Sequence, residues 1–184
     1  MVFCCFNNHY KITPHIFNAW MNILKKVDKS VMWIYVDKKY AQENLRKEAI
    51  VRNVDPNRIR FAQKENIENH LVRMKFADLF LDTWPYNAHT TASDSIRMGL
   101  PLLTLMGNSF ASRVASSLLN TINVPELITT KIDDYENLAI KLGNDKSKLD
   151  EIKNKIKTNS KKSSLYDSKK FTKNLENIYN KLII

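Results

Sequence analysis

Leu81-Asp82-Thr83-Trp84-Pro85-Tyr86-Asn87-Ala88-His89-Thr90-Thr91-Ala92-Ser93-Asp94 is the stretch on which the reading of this chain turns. Residues 78–82 have the look of a buried strand, 84–88 of a turn, and a helix begins at Thr90. The first backbone N–H groups of a helix have no partner inside it. The positive end of the helix dipole also favours an anion there. Thr90 and Thr91 can add hydroxyl donors and His89 a ring N–H, so several donors converge on a volume that fits one diphosphate. The same letters also fit a capping box, Thr91-x-x-Asp94, whose side chains satisfy only their own helix end. This motif alone leaves both readings open.

Working outward, short apolar runs alternate with helical patterns. Residues 2–6, 31–36, 59–62, 79–81 and 102–105 are rich in β-branched or aromatic types, which suits strands buried on both faces. Thr13 predicts an N-cap with Pro14 at the first helical position, followed by Ile16, Trp20, Ile23, Leu24 and Val27 at helical spacing. Ala41, Leu45 and Ala49 make a second stripe that ends before Asp55-Pro56. Residues 66–76 and 91–98 supply two more helices. Tyr135, Leu138, Ala139 and Leu142 form another, which Gly143 is expected to end. Leu149, Ile152 and Ile156 follow, then a polar break at 158–164 and a last stripe of Phe171, Leu175, Ile178 and Leu182. The alternation predicts an α/β fold: a Rossmann-like parallel sheet with helices on both faces and sites at the carboxyl ends of the strands. The expected organisation is one lobe over residues 1–160 and a C-terminal helical segment, 161–184, packing back on it. Trp20, Trp33 and Phe61 are expected in the core, while Trp84, in the turn, is placed to line a cleft.

Composition narrows the chemistry. The chain has only three glycines, Gly99, Gly107 and Gly143, so neither the G-x-G-x-x-G fingerprint nor the Walker A loop is possible. A phosphate would need another device, and the helix start after His89 is the available one. The 29 Lys+Arg against 19 Asp+Glu give a formal charge of +10. Lysines 153, 155, 157, 161, 162, 169, 170 and 173 crowd the last third among Asn and Ser, without aromatic residues spaced to stack bases. That pattern favours a solvated face over a nucleic-acid partner. Adjacent Cys4 and Cys5 would point to opposite faces of a strand and do not bridge, which suits a reducing cytoplasm. No apolar run approaches the ~20 residues that cross a bilayer, so no membrane partner is expected. His9 and His15 lack acidic or cysteine partners at metal-ligand spacing, so no metal site is expected, and no G-x-S-x-G elbow occurs; no cofactor is expected.

Several motifs in one order resemble the O-linked N-acetylglucosamine transferase and SPINDLY family, its bacterial members above all. They are Phe6-Asn7-Asn8-His9-Tyr10-Lys11-Ile12, the run from Asp78 to Asp94, Gly99-Leu100-Pro101-Leu102-Leu103-Thr104, Phe110-Ala111-Ser112-Arg113-Val114-Ala115-Ser116-Ser117-Leu118 and Ser164-Leu165-Tyr166-Asp167. The resemblance implies the C-terminal half of a two-lobed GT-B glycosyltransferase, inverting and metal-independent. Such an enzyme moves N-acetylglucosamine from a uridine diphosphate carrier (UDP-GlcNAc) to a serine or threonine of a protein acceptor. SPINDLY-type relatives use guanosine diphosphate fucose, so donor base and sugar stay open. An N-terminal lobe with helical repeats is implied as a partner outside this sequence. The chain is then a fragment, a truncated reading frame or one subunit of a split enzyme.

Lys11 follows the first strand by a few residues and so projects from the same sheet edge as the loop before His89. The resemblance implies that Lys11 holds the donor's diphosphate, with Asn8 beside it. His70 and Arg73 sit at i and i+3 and share a helix face, and the resemblance implies that His70 stacks on the base. Asp94 fits a ribose hydroxyl acceptor. The substrate-binding set is therefore Asn8, Lys11, His70, Arg73, His89, Thr90, Thr91 and Asp94. No catalytic residue is identified, since the family's acceptor-side groups come from the other lobe. The rival reading is a non-catalytic basic binding module for nucleic acid.

Overall fold

The computed structural model describes residues 1–182. Val2–Cys5 (β1), Val31–Tyr35 (β2), Ile59–Ala62 (β3), Leu79–Leu81 (β4), Leu102–Leu105 (β5) and Ile128–Thr129 (β6) form one sheet in the order β3-β2-β1-β4-β5-β6. Every pairing is parallel, with Phe3 aligned on Met32 at one side and on Leu79 at the other. The helices are Pro14–Lys26 (α1), Lys39–Val51 (α2), Ile67–Arg73 (α3), Thr90–Arg97 (α4), Val114–Thr121 (α5), Ile132–Asn144 (α6), Lys146–Lys162 (α7) and Ser168–Leu182 (α8). The strand order reverses direction after β3, so right-handed crossovers put α1 and α2 on one face and α4 and α5 on the other. Ligands of such sheets lie outside the carboxyl ends of β1 and β4, where the order switches.

Local chemistry fixes the elements that frame that edge. Thr13 Oγ1 accepts from the Ile16 N–H at 3.3 Å with Pro14 at the first helical position, as predicted for α1. The other end of α1 is closed by Arg58, whose guanidinium donates to the carbonyls of Leu24, Val27 and Ser30. α4 ends in a Schellman turn: Leu100 N–H reaches Ser95 O at 2.9 Å and Gly99 N–H reaches Ile96 O at 3.0 Å. Gly99 takes the φ of +75° that this closure requires.

The structure departs from the sequence reading in several places. β6 carries only two residues, too few to show a period; it is held by β5 and by the Thr129 hydroxyl on Thr104 O. Gly143 does not end α6, which runs to Asn144. The glycine is there for space, because a Cβ would stand 2.9 Å from Val27 Cγ2 and 3.0 Å from Phe3 Cζ. Residues 158–162 stay helical in α7, tied by Asn159 Nδ2 to Ile122 O, and the break falls at 163–167. Trp20 is fully buried, but Trp33 and Phe61 pack at the rim of the core, half-buried.

The segment from 161 onward packs back on the lobe only through its start. Leu165 is half-buried against the core and Tyr166 Oη donates to Ser93 O at 2.7 Å. α8 itself has no buried residue; of its apolar stripe Leu175 is half-buried, while Phe171, Ile178 and Leu182 stand exposed. Residues 183 and 184 of that expected segment lie outside the described residues.

Candidate functional site

The site is built around a buried carboxylate. Asp82 closes β4 with no exposed surface. Its Oδ1 accepts from the N–H groups of Thr83 at 2.8 Å and Ala88 at 2.7 Å and from Asn7 Nδ2 at 3.0 Å; its Oδ2 accepts from Thr104 Oγ1 at 2.7 Å. Burial pushes its pKa up to about 6, and those four donors oppose the rise. The Asp82 carbonyl accepts from Tyr135 Oη at 3.0 Å, which accepts from Trp20 Nε1 at 3.1 Å, so α6 and α1 both hold this point. Residues 83–88 fold around the carboxylate. Thr83 Oγ1 donates to Tyr86 O at 2.6 Å, and Asn87 Nδ2 donates to Thr83 O at 2.7 Å. Thr13 Oγ1 donates to Trp84 O at 3.1 Å.

From this turn the chain enters α4 with no side chain capping its N-terminus. Ala92 and Ser93 N–H groups bond His89 O at 3.1 Å each, whereas Thr90 and Thr91 N–H groups have no protein partner among the described residues. The capping-box alternative is thereby set aside, since Asp94 lies too far into the helix and caps nothing. Thr90 is exposed and Thr91 half-buried at this open end.

Lys11 meets the same end from the other side. It follows β1 through a short 3-10 turn, His9–Lys11, whose N–H at Lys11 bonds Asn8 O at 3.0 Å. Its Nζ donates to Asn87 O at 3.0 Å and stands 3.6 Å from the centroid of the Tyr86 ring. Burial lowers the Lys11 pKa, with Asp82 and Cys5 pulling it back up. The side chain of Asn8 is exposed and has no hydrogen-bond partner among the described residues; its link to Lys11 is through the backbone.

His89 departs from the expected role. Its Nε2 lies 3.3 Å from Ala111 O, and its ring sits 5.2 Å from Tyr86 and edge-on to Phe110 at 5.9 Å. A carbonyl can only accept, so the neutral ring's proton is committed to Ala111. What remains for a ligand is Nδ1, a donor only in the imidazolium.

Farther along the edge, α3 presents His70 and Arg73. The Arg73 guanidinium bonds His70 Nδ1 and Gln63 O and lies 4.6 Å from the Phe6 ring centroid and 5.8 Å from that of Tyr35. Arginine has no acceptor, so His70 carries its proton on Nε2. Burial lowers the His70 pKa, Arg73 lowers it further, and Asp94 partly offsets both. That last effect puts Asp94 of α4 in electrostatic reach of the His70 ring. The structure thus forms two groups on one sheet edge: Lys11 with the start of α4, and His70, Arg73 and Asp94. Trp84 lines a hollow of about 380 Å³ with His15, Met106, Gly107 and Ile132, as its place in the turn predicted.

Residues 1–175 match the model of glycosyl transferase family 41. The chain belongs to this family. Among curated proteins, a UDP-N-acetylglucosamine–peptide N-acetylglucosaminyltransferase of Caenorhabditis elegans is 36% identical over 97% of this chain and 16% of its own length. The Arabidopsis thaliana protein described as a probable enzyme of that name, SEC, is 34% identical over 98% of this chain and 19% of its own length. A probable SPINDLY protein of Solanum lycopersicum is 32% identical over 97% and 20%. This chain therefore spans about a fifth or less of these relatives. A solved structure of a mutant Thermobaculum terrenum O-GlcNAc transferase superposes with a TM-score of 0.91 at 27% identity, over 98% of this chain and 35% of that one. The Rossmann-like fold and the family expected from the sequence are both established.

Several of the residues that shape this family 41 domain were not singled out in the sequence: Asn7, Asp82, Thr83, Tyr86 and Asn87. One signal existed, an acidic residue ending the apolar run Leu79-Phe80-Leu81. A charge there is either solvated or gathers donors, and here it gathers four. Both cysteine thiols are buried and shifted up by burial, which leaves them poor nucleophiles. Among the described residues no three His, Cys, Asp or Glu come together to hold a metal. Nor is any described helix long and apolar enough to cross a membrane.

Proposed function

We propose that this chain is the nucleotide-sugar-binding lobe of an inverting protein O-linked N-acetylglucosamine transferase, with UDP-GlcNAc as donor and a serine or threonine hydroxyl as acceptor. The observation that carries the reading is Lys11 Nζ on Asn87 O, beside the uncapped start of α4. A pyrophosphate there meets an ammonium on one side and the Thr90 and Thr91 N–H groups on the other. The base lies toward His70, whose neutral ring, fixed by Arg73, offers a stacking face, and Asp94 accepts from the ribose. As the glycosidic bond breaks, negative charge grows on the leaving diphosphate; Lys11 and the helix end are already aimed at it, which lowers the barrier electrostatically.

Because these donors supply the charge, transfer needs no metal. The two buried, unbridged cysteines agree with a reducing, cytoplasmic setting. Groups that deprotonate the acceptor belong, on this reading, to a separate N-terminal lobe. Calorimetric titration with uridine and guanosine diphosphates, each with and without a chelator, tests the reading. Uridine diphosphate is expected to release heat in both buffers. Silence with both nucleotides from a folded sample refutes the donor site, and heat with guanosine diphosphate alone moves the donor to the other base.

A further inference from the structure

A second surface lies away from the donor edge, where α7 runs beside the C-terminal end of α4. Two hollows of about 480 and 570 Å³ adjoin there and share Arg97, Ser160 and Lys161, so they form one trough. Lys75, Arg97, Lys157, Lys161, Lys162 and Lys170 line it, all exposed. None of the six has a carboxylate within ion-pair distance among the described residues. Lys153, which also lines the larger hollow, is paired with Asp78, and Lys148 and Lys155 elsewhere on the same helix are paired with Glu151 and Glu126. The one acid lining the trough, Asp167, accepts the Lys170 backbone N–H at 2.9 Å and stands as a single carboxylate among these cations. Concentrated, unneutralised cations in a concave surface raise the local potential and select for a multiply charged anion.

Spacing says which anion. Lys157 and Lys161 are one helical turn apart, about 6 Å along the axis at the helical rise. Every second side chain of an extended polypeptide repeats at about 6.6 Å on one face. Carboxylates at alternate positions therefore meet successive lysines, while the hydroxyls of Ser160 and Ser164 and the cations of α4 and α8 take the backbone and the other face. Single-stranded nucleic acid has similar phosphate spacing but gains most from stacking its bases. The trough offers it Tyr166 alone, whose hydroxyl is tied to Ser93 O. Arg97 lies about 10 Å along α4 from Thr90 by the helical rise, so a bound segment stays on the same helix as the donor site without entering it.

We propose that this trough docks an extended acidic polypeptide segment. The proposal does not depend on the donor reading, and titration with uridine diphosphate reports on that site separately. The test is fluorescence anisotropy with a short labelled peptide bearing glutamate at every second residue, at low salt. A variant with Lys157, Lys161, Lys162 and Lys170 changed to Gln is compared with one in which Lys25, Lys26, Lys39 and Lys47, exposed elsewhere, are changed to Gln. Both lose the same charge. The trough variant is expected to weaken binding about tenfold or more, the sum of four ordinary surface ion pairs, with uridine diphosphate affinity unchanged. Equal losses in the two variants would reduce the effect to net charge and overturn the proposal. So would a single-stranded oligonucleotide or an anionic vesicle that binds at the trough more tightly than the peptide.

Discussion

The backbone N–H of Ala88 points into the core at the carboxylate of Asp82, 2.7 Å away, although six residues separate them. This bond turns the chain after β4 back on itself and delivers His89 and Thr90 to the sheet edge. The presentation of the α4 N-terminus therefore depends on a buried acid. Changing Asp82 to Ala leaves the Asn7 amide with Thr83 Oγ1 alone and strands the Thr104 hydroxyl and two backbone N–H groups. The expected loss is about 3 to 5 kcal/mol by chemical denaturation, since each buried donor left unpaired costs roughly 1 to 3. Asp82→Asn keeps Oδ1 as acceptor and should fold. It also removes a titration. The folded pKa of about 6 lies above the ordinary carboxylate value, so ionisation disfavours the fold. The group's contribution is full below the unfolded pKa and falls as pH rises toward 6, by about 2 to 3 kcal/mol in all. The Asn variant should lose that downward slope between about pH 4 and 6; a wild type flat over this window would mean that Asp82 titrates normally.

How much of this was legible in the sequence follows the range of each interaction. Parallel strands buried on both faces leave unbroken apolar runs, so β1 to β5 were readable from residue type alone, as was the Thr13-Pro14 start of α1. β6 was not, because two residues carry no period and its existence rests on contacts with β5. Lys11 was placed at the right edge because strand direction dictates it. The orientation of His89 was not readable, since it depends on Ala111 O, 22 residues on, and on two aromatic neighbours. Asp82 was visible as a letter, but its four donors come from three separate segments.

Lys11 holds its ammonium on Asn87 O by a hydrogen bond that a ligand's oxygens can replace. Lys11→Ala should weaken uridine diphosphate binding by about 1.5 to 3 kcal/mol, the usual loss of a charge-assisted contact. Thermal stability should change little, because the side chain is only partly buried. Lys11→Arg should not restore the affinity, since a planar fork differs from a compact ammonium in reach and geometry. Equal affinities of the Ala variant and the wild type, measured by titration, would remove Lys11 from the phosphate site.

Arg73 and His70 form one titrating unit. With Arg73 on Nδ1 and the ring part-buried, the His70 pKa lies below the ordinary histidine value. A depressed histidine pKa contributes stability above the unfolded pKa and loses it as pH falls through the folded one. The same protonation turns a neutral stacking face into a cation beside Arg73. Nucleotide affinity should therefore be level above neutrality and fall at acid pH. Arg73→Met removes the neighbouring charge, and NMR titration of the His70 ring should then show its pKa rising. An unmoved or lowered pKa would show that Arg73 does not set the protonation of His70.

Gly143 tests packing against propensity. In an exposed helix interior, glycine to alanine gains up to about 1 kcal/mol. Here the added methyl meets Val27 Cγ2 at 2.9 Å and Phe3 Cζ at 3.0 Å, inside a core where both partners are held on all sides. Overpacking of this kind costs about 1 to 3 kcal/mol. The two effects oppose each other, and the steric one is the larger, because β1 cannot move away from α6 without breaking its ladders to β2 and β4. Gly143→Ala should therefore lower Tm by about 2 to 4 °C, the shift that about 1 kcal/mol produces in a domain of this size. The loss should shrink when combined with Val27→Ala, which empties the volume the new methyl needs, and a double-mutant cycle measures that coupling directly. If Gly143→Ala alone raises Tm, the Phe3 ring yields to the methyl and helix propensity, not space, decides the residue at this position.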